Sequence, residues 1–244
     1  MFWTISIALA GVFAASFLRG FTGFGFGLAA VPLLSLALPP AQVVPFVMLL
    51  QVVVGIGGIR QAARSCDWRS IVGLIPGGVI GIPIGLLILT AFTANTVRLT
   101  IGLIIAGSVA LLWRGARLPP KPSFWVTMGV GLLGGTISGV ASMGGPPIVV
   151  YLLALGHSAI KVRSTSIIYF MLAGAMSSSA MLYRGLIDRD IVLWTVIAIP
   201  ATYFGNWLGT WAFHRAKPHH HRMTALSVLS VLSVVLIARA LLSA

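Results

Sequence analysis

Acidic residues are nearly missing from this chain. Its 244 residues include three, Asp67, Asp188 and Asp190, and all three fall between apolar stretches. A proton relay across a membrane ordinarily uses a carboxylate or histidine within such a stretch, so none is well placed here. The five histidines, His157, His214, His219, His220 and His221, also lie in or beside polar connections. Consecutive histidines do not share a helix face, so the last three read as a solvated loop and not as a metal site. The one cysteine, Cys66, excludes an intrachain disulfide framework, and its neighbours Asp67 and Arg69 mark a polar loop. No HExxH pair, no intramembrane carboxylate pair and no serine–histidine–acid spacing occurs, which argues against an enzyme. Nothing in the sequence calls for a cofactor or a metal. Charged residues of every kind make up only 8%, against about a quarter in soluble domains. So few charges cannot cover a water-facing surface.

What fills their place is hydrocarbon. Hydrophobic residues reach 58% and the mean hydropathy is +1.05. Ten apolar segments stand between polar breaks, at about 2–18, 24–38, 43–59, 71–92, 97–113, 124–140, 147–155, 164–183, 191–213 and 223–238. The first lacks a basic leader and reads as a membrane helix, not a cleaved signal. Segments 24–38 and 147–155 are short for a span of about 20 residues, and each follows a glycine-rich break, as a half-helix would. The net charge of +13 forms no patch interleaved with aromatics, so nucleic acid is not the partner. Instead 12 of the 16 basic residues, including Arg19, Lys161 and Arg163, lie in the odd-numbered connections. By the positive-inside rule those connections are cytoplasmic and both termini lie outside.

The chain also resembles itself. Gly20-Phe-Thr-Gly-Phe-Gly25 aligns with Gly139-Val-Ala-Ser-Met-Gly144 at an offset of 119 (139 − 20), and Pro76, Gly81, Gly85 and Arg98 align with Pro200, Gly205, Gly209 and Arg222 at an offset of 124 (200 − 76). The ordered series divides the chain into halves at 1–118 and 119–244. Each half holds five segments, an odd number, so the second is inserted upside down. The expected fold class is therefore an all-α polytopic membrane protein of two inverted repeats, about five apolar helical segments each, with Gly-rich helix breaks. That plan is characteristic of secondary transporters.

The breaks are the candidate site. Non-helical backbone at membrane depth persists only where protein or a water-filled cavity satisfies it, and the half-helix that follows presents free N–H groups and a positive dipole end to an anion. The first break supplies Arg19, Gly20, Thr22, Gly23 and Gly25; the second supplies Ser138, Gly139, Ser142, Gly144, Gly145 and Pro146. Gln51 and Asn206, polar within apolar segments, join them as weaker candidates. Gly73, Gly77, Gly81 and Gly85 recur every four residues and read instead as a packing face.

With Gly-Phe-Thr-Gly-Phe-Gly-Phe-Gly27 in one half and Ser-Gly-Val-Ala-Ser-Met-Gly-Gly-Pro-Pro-Ile-Val-Val-Tyr151 in the other, nearly the whole chain resembles the TauE/SafE family of sulfite-exporter-like permeases. The resemblance implies a multi-pass carrier of the bacterial inner membrane for sulfite, organosulfonates or related small organic anions. Its partners would be that anion and the lipid bilayer, with homo-oligomerisation left open. Export down an inside-negative potential needs no coupling ion, since the field supplies about 2.3 kcal/mol per charge per 100 mV. An anion channel or facilitator, or a proton- or sodium-coupled uptake permease, are the alternatives.

Overall fold

The computed structural model describes residues 2–35, 38–93 and 122–215, with scattered positions between 96 and 119 and between 227 and 238. Among the described residues the structure is helical and has no strand. Eight helices follow in order: α1 (Phe2–Thr22), α2 (Phe26–Leu34), α3 (Pro40–Ser65), α4 (Trp68–Ala91), α5 (Phe124–Ala141), α6 (Gly145–Ala154), α7 (Ala159–Tyr183) and α8 (Arg189–Arg215). The expected segments at 97–113 and 223–238 fall mostly outside the described residues.

Five helices, α3, α4, α5, α7 and α8, are long and apolar enough to cross a membrane. The two short segments are half-helices. At 9 and 10 residues, α2 and α6 reach about 14 and 15 Å, half the hydrocarbon thickness of about 30 Å. Each folds back along the helix before it. Gly11 of α1 packs on Leu33 and Leu34 of α2, and Thr127 of α5 shares a 2.8 Å hydrogen bond with Tyr151 of α6. The start of α6 suits its sequence, because Pro146 and Pro147 lack a donor that the first helical turn does not need.

The glycine face read from α4 is a packing face. A β-carbon on Gly77, Gly81 or Gly85 would run into the backbone of α5 at Met128, Leu132 and Thr136. Without side chains there, α4 and α5 lie parallel at backbone contact. The same contact recurs across the molecule, where Gly205 and Gly209 of α8 meet Phe13 and Phe17 of α1. The partner positions are offset by 119 (132 − 13), while the glycines are offset by 124 (205 − 81). Gly20 against Asn206 and Thr210 likewise matches Gly139 against Ile82 and Leu86. Between these pairs α3 and α7 cross, with Gly55 on Met171 and Gly174 on Val52. α1 and α5 thus pack in matching fashion, α1 against the glycines of α8 and α5 against those of α4.

Candidate functional site

Both breaks depend on backbone that helix cannot supply. Gly23 and Gly25 take φ of 81° and 90°, a left-handed conformation that glycine alone adopts at little cost. Ser142 opens the second break at φ 58°. The breaks touch: the α-carbon of Gly27 lies against the Ser142 carbonyl, and Gly145 faces Leu28 and Phe24. Their hydroxyls, however, are mostly engaged locally. Thr22 Oγ1 donates to the carbonyls of Leu18 at 2.8 Å and Phe24 at 2.5 Å. Ser142 Oγ donates to the Val44 carbonyl at 3.0 Å. Ser138 Oγ is buried without a partner beside Gly144.

Open volume lies next to the first break. A cavity of about 390 Å³ is bounded by α1, α3, α7 and α8, with Arg19, Arg163, Tyr203, Asn206 and Thr210 among its walls. Arg19, in the last turn of α1, is 3% exposed, and its Nη1 donates to the Gln51 carbonyl at 3.4 Å. The Gln51 amide itself turns to the Phe170 carbonyl at 3.4 Å. Arg163 Nη2 donates to the Gly20 carbonyl and to Thr210 Oγ1, each at 3.0 Å, and its guanidinium lies 4.6 Å from the Phe213 ring centre. Its Nε is buried with no hydrogen-bond partner.

The structure thus gathers Arg19 and Asn206 at the cavity, with Gly20 and Gln51 adjoining. Gly23 seats against Arg163. Thr22 and Gly25 shape the turn. The second break is shorter than the sequence suggested: Ser138 and Gly139 lie in the last turn of α5, Gly145 and Pro146 in the first turn of α6, and Ser142 and Gly144 in the turn between. None of the six is among the cavity walls.

Arg163 is a correction to the sequence reading, which placed it in a cytoplasmic connection as an orienting charge. It lies in the second turn of α7, because Ser158 caps that helix by accepting from Lys161 N at 3.4 Å. A serine N-cap followed by Ile160 and Val162 was the signal that the helix begins at 159 and not at 164. Tyr203 and Thr210 were also missed as cavity residues, since each reads as one more polar residue on an apolar helix.

No carboxylate answers these two cations. Asp67 is held by His157 Nε2 at 2.8 Å and Ser70 Oγ at 2.7 Å. Asp188 caps α8 by accepting from Ile191 N at 2.8 Å, and Asp190 lies in the first turn of α8. None lines the cavity. Its lining includes the exposed residues Ser65, Ile160 and His214, at the ends of α3, α7 and α8 that adjoin the basic connections.

The Asp67 cluster fastens the α3–α4 connection to α7, since Asp67 N also donates to Thr165 Oγ1 at 2.8 Å. Burial pushes the Asp67 carboxyl up, but hydrogen bonds from Ser70 and His157 and the charge of Lys161 outweigh it and hold it below its usual value. A depressed carboxyl contributes stability above the ordinary carboxylate range, and that contribution is lost as pH falls through the folded value. Asp67→Asn is therefore expected to lower the thermal midpoint by about 2–4 °C at pH 7. The difference from wild type should begin to shrink below about pH 4 and vanish once a melt series passes below the lowered folded value. Equal midpoints at pH 7 would show that the cluster carries no stability.

A model of the family described as "Sulfite exporter TauE/SafE" matches residues 7–236. A curated relative from Cupriavidus necator, described as "Probable sulfite/organosulfonate exporter TauE", is 24% identical over 223 residues, covering 88% of this chain and 87% of the relative. No solved structure matches.

Proposed function

The chain belongs to the sulfite exporter TauE/SafE family, and from that premise we propose that it is a secondary carrier that exports a small oxyanion, sulfite or an organosulfonate, taken up between Arg19 and Arg163. The observation that carries this reading is the pair of arginines in one cavity without a carboxylate. Burying two like charges is costly unless a counter-charge joins them, and an oxyanion supplies it. Guanidinium suits that ligand because its planar fork binds two oxygens at once. Arg163 retains an unpaired Nε–H for the purpose. The apolar walls at Val54, Ile160, Ile167 and Trp207 would admit the carbon tail of a sulfonate.

We further infer that halves 1–118 and 119–244 are inverted repeats in a bacterial inner membrane. The reciprocal glycine contacts of α4 with α5 and α8 with α1 support that arrangement. With the basic connections inside, the cavity faces the cytoplasm, as uptake for export requires. The three aspartates lie outside it, so the membrane potential is the natural driving force.

Efflux of radiolabelled sulfite from proteoliposomes tests this. The rate should saturate with internal sulfite, which a channel would not show at the same concentrations. It should also rise severalfold when about 100 mV, negative on the loaded side, is imposed, because the field contributes about 2.3 kcal/mol per charge moved across it. Efflux indifferent to the potential would exclude uncoupled anion export.

A further inference from the structure

Two hydroxyls beside the second break, that of Ser138 in the last turn of α5 and that of Tyr169 on α7, have no partner, and both flank Gly134. Ser138 Oγ and Tyr169 Oη are fully buried and make no hydrogen bond. A β-carbon on Gly134 would lie 3.1 Å from Tyr169 Oη. One on Gly144 would meet both Ser138 Oγ and the Gly134 carbonyl. Several helical hydroxyls bond back to the carbonyl four residues earlier, as Ser16 does to Val12 and Thr136 to Leu132, while those of Ser166, Ser177 and Ser178 on α7 are, like Ser138, buried without a partner. Ser138 has the same option at Gly134 and does not take it. A buried donor left unpaired costs free energy, so two at one place call for an explanation.

Both hydroxyls adjoin the start of α6, whose N-cap Gly144 brings no side-chain cap. A helix N-terminus favours an anion, but Pro146 and Pro147 contribute no N–H there. Side-chain donors must make up the deficit, and Ser138 and Tyr169 are unpartnered hydroxyls that border Gly134 there. The register of the halves adds a second reason. Ser138 lies 119 residues after Arg19, so it occupies in the second half the place of the cavity arginine, and Tyr169 stands 119 after Leu50. One half presents a charge and the other a neutral donor.

We propose that Ser138 Oγ, Tyr169 Oη and the N-terminus of α6 form a second, charge-free oxyanion station, entered after the arginine cavity and used for release on the opposite side. Its hydroxyls are sealed while the cavity stands open, as alternating access requires of the far gate. A station without a cation holds the anion loosely and lets it leave. The station rests on the transport reading given above, and it assigns Tyr169 a role that its burial alone would not.

The test is the double variant Ser138→Ala with Tyr169→Phe, each change removing one oxygen and no packing carbon. Radiolabelled sulfite efflux from proteoliposomes should fall about tenfold, while equilibrium binding of sulfite to the solubilised protein stays within about twofold, because the arginines are untouched. The thermal midpoint should hold or rise as two orphaned groups disappear. That combination separates transport from stability. Efflux at the wild-type rate in the double variant would overturn the station and leave the arginine cavity standing. If Arg163→Gln also matches wild type in both binding and efflux, the transport reading falls and the station with it.

Discussion

Arg163→Gln is expected to cut sulfite efflux at low substrate by about 100-fold while leaving the protein folded. Removing one partner of a desolvated charged hydrogen bond costs about 2–5 kcal/mol of binding, and each 1.4 kcal/mol is tenfold. Here the effect falls on binding and not on folding, because of what surrounds the side chain. Arg163 shares its cavity with Arg19 and with no acid, so removing its charge relieves repulsion in the empty carrier. Glutamine also keeps an amide that can donate to the Gly20 carbonyl or to Thr210, the present partners of Nη2. Arg163→Lys should fall between the two, since lysine keeps the charge and loses the fork. Initial rates, read beside thermal midpoints, check the pair. A wild-type rate in Arg163→Gln would remove the cavity from the pathway.

Gly27→Leu should prevent accumulation of folded protein altogether. A β-carbon at that position would occupy the space of the Ser142 carbonyl, where the two breaks meet. Backbone cannot swing aside as a flexible side chain can, so the overpacking should exceed the usual 1–3 kcal/mol or so. Total stability is only about 5–15 kcal/mol, and the contact joins α2 to the turn between α5 and α6. Gly58→Ala is the matched control, because nothing lies within 4 Å of a β-carbon there. Fluorescence-detected size-exclusion chromatography of tagged variants reads both. Monodisperse Gly27→Leu at wild-type yield would mean that the breaks do not pack as described.

The helical layout was legible because length and glycine content carry it. A short apolar run after a glycine-rich break cannot span a bilayer, and α2 and α6 are half-helices for that reason. The four-residue spacing of Gly77, Gly81 and Gly85 pointed to a close helix contact, and α5 lies there. The site was harder to read. A basic residue near a segment end looks the same whether it orients the chain or points inward, and Arg163, read as an orienting charge, lines the cavity. Thr22 and Ser142 were candidate donors by residue type, yet the sharp turns direct their hydroxyls to neighbouring carbonyls. Hydroxyl direction follows from local backbone, which composition does not encode. Asn206, polar within an apolar segment, lines the cavity, but Tyr203 and Thr210 gave no signal that set them apart from helix-bridging polar residues.

The central claim is that Arg19 and Arg163 hold the transported anion together. Crystals grown with selenite, an isosteric oxyanion with an accessible absorption edge, would locate it by anomalous scattering. The expected result is one strong peak in the cavity, with oxygens within hydrogen-bond reach of both guanidinium groups. The peak should be absent from crystals of Arg163→Gln grown in the same way. Selenite bound elsewhere with the two arginines untouched, or a peak that survives in Arg163→Gln, would contradict it.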